Sequence, residues 1–446
     1  ERLARVVGHL VESGGYFRLS ATKVSSESKD HNSNDHNSKT VKESKDDNSK
    51  TDEIVTYELF KIAPRWLFLR IETRKGIVGW GEPSLEGWCD SVMTCVGEMM
   101  ESIVGEDPAR IQYIWQKIRR QKFYGGGPVI MTSLAGIDEA LWDIKGKTLK
   151  APVHQLLGGA VRDRLLVYRW FGGHRNDPQS AANEAKRVLH QSNYRLLKMN
   201  ACPPMQFIDT DGKIEIARET MKAVREAVGP DIGIGVDFHG RVKPPMAKKL
   251  VKALSPFNPL FIEEAVHPDQ NHYLKAIAAN THVPLATGER MYTLSAFRDL
   301  LETRAANIIQ PDCSHVGGIS GLFRIAVMGQ AYDTALAPHC PLGPIALACC
   351  LQVDACAVNF AFQETSLGIH YNTEGGLTIS SDKCALLRFV KNPQVFDVDK
   401  DGYMKIPKTP GLGVEIDEEL VRKAAVLGHN WRGREWTLQD GTPTRW

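Results

Sequence analysis

Three acidic residues set the frame of this chain. Asp237, Glu263 and Glu289 each close a short apolar run, in Gly235-Val-Asp-Phe-His-Gly-Arg241, Phe261-Ile-Glu-Glu-Ala265 and Ala286-Thr-Gly-Glu-Arg290, at a constant step of 26 positions. One βα unit of an eight-unit barrel takes roughly 25–30 residues, and barrel active sites lie where the strands end. Carboxylates one unit apart therefore come from neighbouring strand ends. A single acidic residue at such a place reads as a helix cap. Three in phase read as a cation site, and three hard oxygen ligands suit Mg²⁺.

The rest of the chain keeps this beat. From Leu165 onward, strand patterns at Leu165–Phe171, Leu196–Asn200, Ile232–Phe238, Leu260–Glu264, Leu285–Gly288, Ile308–Pro311, Thr334–Ala337 and Asn359–Phe362 alternate with helical patterns such as Glu215–Val228, Pro245–Leu254 and Gly318–Ala331. Eight short apolar strands separated by helices predict a parallel α/β barrel. Before it, Thr56–Phe60 and Leu67–Thr73 alternate as strands, and Ser91–Val104, Pro108–Gln121 and Met131–Leu149 read as helices. Residues 20–52 are almost wholly polar, with Glu27–Ser33 recurring nearly verbatim as Glu43–Ser49. Such a tract buries too little apolar surface to offset chain entropy, so residues 1–53 are expected to form a disordered extension. Asp397-Val-Asp-Lys-Asp-Gly402 imitates a calcium loop, but its twelfth position is Lys408. It reads as a turn.

Composition narrows the function classes. The 446 residues are 42% hydrophobic and 24% charged with a net charge of +2, which gives no electrostatic case for nucleic acid. No apolar run reaches the eighteen or so residues that a membrane span needs. Nine cysteines, two of them adjacent at 349 and 350, lack framework or zinc spacing and point to buried thiols in a reducing, cytoplasmic setting.

Alternation then gathers a set of side chains. Residues two apart on a strand share a face, so Asp237 can look towards a metal and His239 towards a substrate. Lys198 and Asn200 share a face on the preceding strand. Later strands end in Gln310-Pro-Asp312, Ala337-Pro-His339 and Gln363-Glu364. Asp312 beside His339 would fix the imidazole tautomer and raise its basicity. Of Glu263 and Glu264, alternation lets only one face inward.

With these residues in place the chain resembles the enolase superfamily, mandelate racemase subgroup, and within it the acid-sugar dehydratases. The likeness runs from about Ile54 to the C-terminus. It includes Leu134-Ala-Gly-Ile-Asp-Glu-Ala-Leu-Trp-Asp-Ile-Lys-Gly146, Pro64-Arg-Trp66 and Gly411-Leu-Gly-Val414. The resemblance implies a (β/α)7β modified TIM barrel over residues 161–384, under an α+β capping domain formed by both chain ends, 54–160 and 385–446. It implies one Mg²⁺ per subunit on Asp237, Glu263 and Glu289, with His239 and the Asp312–His339 dyad as acid and base. Glu364, Asn200 and Lys198 are expected to meet the substrate. The implied reaction removes a proton from the carbon beside a sugar acid's carboxylate, through a metal-stabilised enediolate, with loss of water. Relatives of this kind assemble as symmetric homo-oligomers. Ala265 departs from the proline usual after Glu-Glu. Racemase-type relatives carry a second lysine where this chain has Asn200, which favours elimination over a racemase or cycloisomerase. A catalytically silent scaffold predicts decay at one of these positions, and all are present.

Overall fold

A computed structural model describes residues 16–20, 52–172, 177–367, 385–433 and 435–444. The chain opens with an antiparallel sheet of β1 (Tyr16–Ser20), β2 (Ile54–Ile62), β3 (Trp66–Thr73) and β4 (Val78–Gly81). β1 corrects the expectation for residues 1–53 at Tyr16–Ser20, which pair along β2 with Phe17 opposite Leu59; residues 1–15 and 21–51 of that expected extension lie outside the described residues. Helices α1 (Cys89–Ile103), α2 (Ile111–Gln121) and α3 (Pro128–Thr148) follow. Of these α3 lies deepest, its run Met131–Ile144 buried throughout.

The second sheet contains β5 (Arg164–Trp170), β6 (Leu196–Met199), β7 (Gly233–Asp237), β8 (Phe261–Glu263), β9 (Leu285–Thr287), β10 (Ile308–Ile309), β11 (Ala335–Leu336) and β12 (Gln363–Thr365). Each pairs in parallel with the next from β5 to β11, and β12 pairs in parallel with β5. A parallel bridge from Leu336 to Phe360 closes the ring. Among the described residues seven α-helices lie between the eight strands: α4 (Pro178–Gln191), α5 (Asp211–Val228), α6 (Pro244–Leu254), α7 (Leu274–Ala278), α8 (Leu294–Glu302), α9 (Gly318–Gln330) and α10 (Pro344–Cys356). This is the (β/α)7β barrel that the sequence led us to expect. The eighth strand corrects the reading at Asn359–Phe362. It lies at Gln363–Thr365 because the upper layer of a barrel that holds a polar site is itself polar, so apolar pattern alone stops too early.

The barrel interior is layered. Tyr168, Phe261, Ala286, Ile308, Ala337 and Phe362 form a lower apolar plug, with the rings of Phe261 and Phe362 stacked at 5.5 Å and Tyr168 edge-on to both. Two residues further along their strands stand Glu263 and Glu364, so the pleat that buries the rings lifts the carboxylates into the layer above. Gly235 makes room for this plug: a Cβ there would lie 2.4 Å from the Phe261 ring. Gly235→Ala is expected to destabilise the fold by about 1–3 kcal/mol, read as a lower midpoint in denaturant with an unchanged slope.

The C-terminal segment returns to both parts. β13 (Tyr403–Lys405) pairs antiparallel with the start of β5. Residues 397–402 form the expected turn, with Asp399 Oδ1 accepting from the backbone of Asp401 and Tyr403. α11 (Glu418–Ala425) packs on the first sheet, where Arg422 pairs with Glu58 and Arg70 with Glu418. The eight described cysteines are free thiols and seven are buried. No helix among the described residues is long and apolar enough to cross a membrane.

Candidate active site

Each carboxylate of the 26-residue series is carried to the barrel mouth by its strand. Asp237 ends β7 and Glu263 ends β8, directly opposite each other in the strand register. Glu289 follows β9 by two residues. All three are buried, and one carboxylate oxygen from each lies within 4.8 Å of the others. Oxygens held by one octahedral Mg²⁺ lie at most about 4.2 Å apart, so a ceiling of 4.8 Å puts the three within a small side-chain adjustment of a single cation. Three buried carboxylates converge here, and Asp237 Oδ2 and Glu289 Oε2 each meet a histidine Nε2, so the chemistry of the donor set fits a hard divalent cation. Glu264 faces away from the trio and pairs with Arg290.

Lys198, on the inward face of β6, has its ammonium 2.7 Å from Glu364, 3.0 Å from Glu263 and 3.7 Å from Asp237. Burial works against its charge, but Glu263 and Glu364 hold its pKa well above the usual lysine value. The same burial pushes Glu263 far above the carboxylate range; Lys198 opposes this, while Asp237 and Glu364 add to it. Gln310, also inward, donates to Glu263 Oε2 at 2.8 Å. Asp237 behaves in the opposite way. Burial alone would raise it, but His239 and Lys198 beside it hold it low.

The two histidines approach the trio from different strands. His239 Nε2 lies 2.8 Å from Asp237, and its Nδ1 lies 3.0 Å from the Asn200 amide. Asn200, expected at the substrate, is thus placed to orient that ring. His339, four residues beyond Ala335 on the β11 side, has Nδ1 2.8 Å from Asp312 and Nε2 3.0 Å from Glu289. Burial opposes its charge, yet Glu289, Glu364 and Asp312 raise its pKa to about 10. Glu364 accepts from the Cys340 amide at 3.2 Å, which ties the eighth strand to the residue after His339.

The structure adds partners that the sequence reading missed. His315 lies 3.8 Å from Asp312 and hydrogen-bonds Thr132 of α3 at 2.9 Å. Burial would raise the Asp312 carboxyl, but His315 and His339 together keep it below its ordinary value. The signal was the i, i+3 spacing from Asp312, on a loop where no helix was foreseen. From the first domain, Arg65 reaches the barrel: it pairs with Glu86 and donates to the Pro341 carbonyl, two residues past His339. Glu82 accepts from the backbone of Gly343 and Ala346 at the start of α10.

Comparison with known proteins agrees with this architecture. Residues 62–158 match the mandelate racemase / muconate lactonizing enzyme N-terminal domain, and residues 180–420 match the enolase C-terminal domain-like family. The chain is 48% identical over 397 residues to a D-galactonate dehydratase of Cronobacter sakazakii, covering 89% of this chain and all of the relative. A D-galactonate dehydratase of Klebsiella pneumoniae is 48% identical over 394 residues, 88% of this chain and again the whole relative. Among solved structures, an enolase from Agrobacterium radiobacter with sodium and L-malate bound is 30% identical, with a TM-score of 0.79 over 88% of this chain and 99% of that one. A mandelate racemase/muconate lactonizing enzyme from Jannaschia is 26% identical, with a TM-score of 0.74 over 83% and 98%. The chain belongs to the mandelate racemase/muconate lactonizing enzyme family of the enolase superfamily. Within that family it stands with the hydro-lyases.

Proposed function

We propose that this chain dehydrates an aldonic acid, D-galactonate first among them, to the 2-dehydro-3-deoxy acid and water, with Mg²⁺ as its cofactor. One observation carries the reading: two imidazoles from different strands face a buried carboxylate trio, each against a different member. The two relatives named D-galactonate dehydratase support the choice of substrate.

Asp237, Glu263 and Glu289 would hold the cation, which supplies positive charge beside the substrate's carboxylate and so makes the adjacent carbon a stronger acid. His339, oriented through Nδ1 by Asp312, presents Nε2 as the base that takes the C2 proton; a cation on Glu289 would offset the negative charge that most raises the imidazole's pKa in the cation-free protein. Lys198 and Glu364, whose charges are already paired, border the place where negative charge develops on the substrate's carboxylate oxygens. His239 stands across the mouth and gives a proton to the departing C3 hydroxyl. Water leaves and the resulting enol tautomerises to the 2-keto acid. An acid and a base on different strands suit elimination, and Asn200 occupies the place where a second lysine base would serve racemisation.

The test is a panel of aldonic acids incubated with the protein and Mg²⁺, scored for 2-keto-3-deoxy product. D-galactonate is expected to turn over and a chelator to abolish the reaction. Turnover of a different epimer alone would replace the substrate, whereas chelator-insensitive turnover, or none on any acid sugar, would overturn the reading.

A further inference from the structure

Beside the carboxylate trio lies a second set of charges, built from residues that follow members of the trio in sequence. Glu264, next to Glu263, is fully buried and pairs with Arg290, next to Glu289. The Arg290 guanidinium spans the pair, Nε to Oε1 at 2.9 Å and Nη2 to Oε2 at 2.5 Å. The same Nη2 donates to the backbone carbonyl of His239 at 2.9 Å. The Gly240 amide donates to the Glu264 carbonyl at 2.9 Å, and the Phe238 amide to that of Glu263 at 3.0 Å. The residue carrying the imidazole is thus laced to β8 on either side and to Arg290 through its own carbonyl.

The backbone there is unusual in a way that requires such support. Six non-glycine residues in the described chain have positive φ. Lys150, Asn258, Arg304 and Asp333 follow helical turns, where a left-handed residue ends the turn. The other two are His239 at +51° and Glu264 at +40°, and both lie at the barrel mouth. A residue with a Cβ held in this region stores strain and persists only where its surroundings over-determine it. Here the over-determination is visible. Gly240 adds to it at φ +56°, with room for no side chain: a Cβ would stand 2.5 Å from Arg290 Nη2 and 2.7 Å from His267 Cα.

We propose that the Glu264–Arg290 pair is a positioning device for His239, holding its backbone left-handed so that the imidazole meets the leaving hydroxyl. The proposal rests on the dehydratase reading for the role of His239. Both members act through the imidazole, and Arg290 Nε also stands 3.7 Å from Glu289 Oε1. Only arginine can do this: its planar fork grips both oxygens of Glu264 and still has a hydrogen for the carbonyl, whereas a lysine ammonium is a single point. The pair also links the acid to the trio, since both members adjoin a carboxylate of the series.

Arg290→Lys, with Glu264→Gln as a second variant should the first fail to fold, separates positioning from simple structural support. With Mg²⁺ and the aldonic acid that the wild type turns over, we expect kcat for elimination to fall on the order of 10–100-fold, while KM and the Mg²⁺-induced thermal shift change little. Deuterium uptake at C2 from D₂O reports proton removal by His339, and it is expected to persist, so the ratio of exchange to elimination rises by the same factor. Exchange and elimination falling in parallel, or an unchanged kcat, would overturn the proposal. A readout that needs no turnover separates it from the function itself. In ¹⁵N-histidine spectra of the Mg²⁺-loaded protein, the His239 resonances, assigned through His239→Asn, are expected to shift in Arg290→Lys while those of His339 stay. Unmoved His239 resonances sink the positioning role. Moved resonances in a wild type inert toward every acid sugar would uphold the device and refute the dehydratase assignment.

Discussion

His339→Asn is expected to lower dehydration by on the order of 10²–10⁴-fold and to abolish deuterium uptake at C2, leaving the Mg²⁺-induced thermal shift in place. The geometry gives this residue the base's position: its Nε2 faces the trio, and its Nδ1 is fixed by Asp312 at 2.8 Å. Asp312→Asn should impair the same step to a smaller degree, on the order of 10–100-fold, because the ring remains but loses the partner that sets its tautomer. The double variant should be little worse than His339→Asn alone, since the two act as one unit. His239→Asn gives the complementary pattern: elimination is lost while exchange at C2 continues. If His339→Asn still exchanged the C2 proton, the assignment of base and acid would have to be reversed.

The second large effect concerns the carboxylates. In the wild type, Mg²⁺ at about a hundredfold excess over its dissociation constant should stabilise the protein by about 2.7 kcal/mol. Asp237→Asn or Glu263→Gln should remove that stabilisation and reduce turnover by at least about 10²–10³-fold. A pH dependence follows. In the protein without cation, burial first and Glu264 next push the Glu289 carboxyl up to about 7. A cation binds the ionised form, so binding expels a proton below that pH. The Mg²⁺ midpoint is therefore expected to weaken as pH falls from 7 towards 5, by up to about tenfold per unit from this carboxyl alone. Titrating the thermal shift against Mg²⁺ at several pH values measures this directly. A midpoint flat across that range would mean that Glu289 is not a ligand.

Much of this site is legible in the sequence, for a definite reason. A parallel barrel repeats its geometry every βα unit, so a functional residue at one strand end predicts the register of the next. The step from Asp237 to Glu263 to Glu289 exposed that register, and Asp312, His339 and Glu364 then fell in phase with it. What resisted reading were contacts outside the repeat. His315 reaches Asp312 from a loop after β10 and meets Thr132 of α3, an approach from the other domain that periodicity does not carry. Glu289 lies beyond the end of β9, so its place beside His339 depends on the turn rather than on strand alternation. Glu264 was visible only as the residue that alternation turns away from the mouth, with no sign of its partner.

The sequence alone therefore determined the fold class, the spacing of the strands and the identities of the side chains that end them. These depend on local pattern, and local pattern survives in one dimension. Only the tertiary structure decided which charges neutralise one another. Lys198 serves three carboxylates at once, Arg290 grips Glu264 and the carbonyl of His239, and Arg65 reaches Pro341 from 276 residues away. Pairings of that kind are set by distance across the closed barrel and its cap, and distance between remote residues is a quantity that a linear chain does not contain.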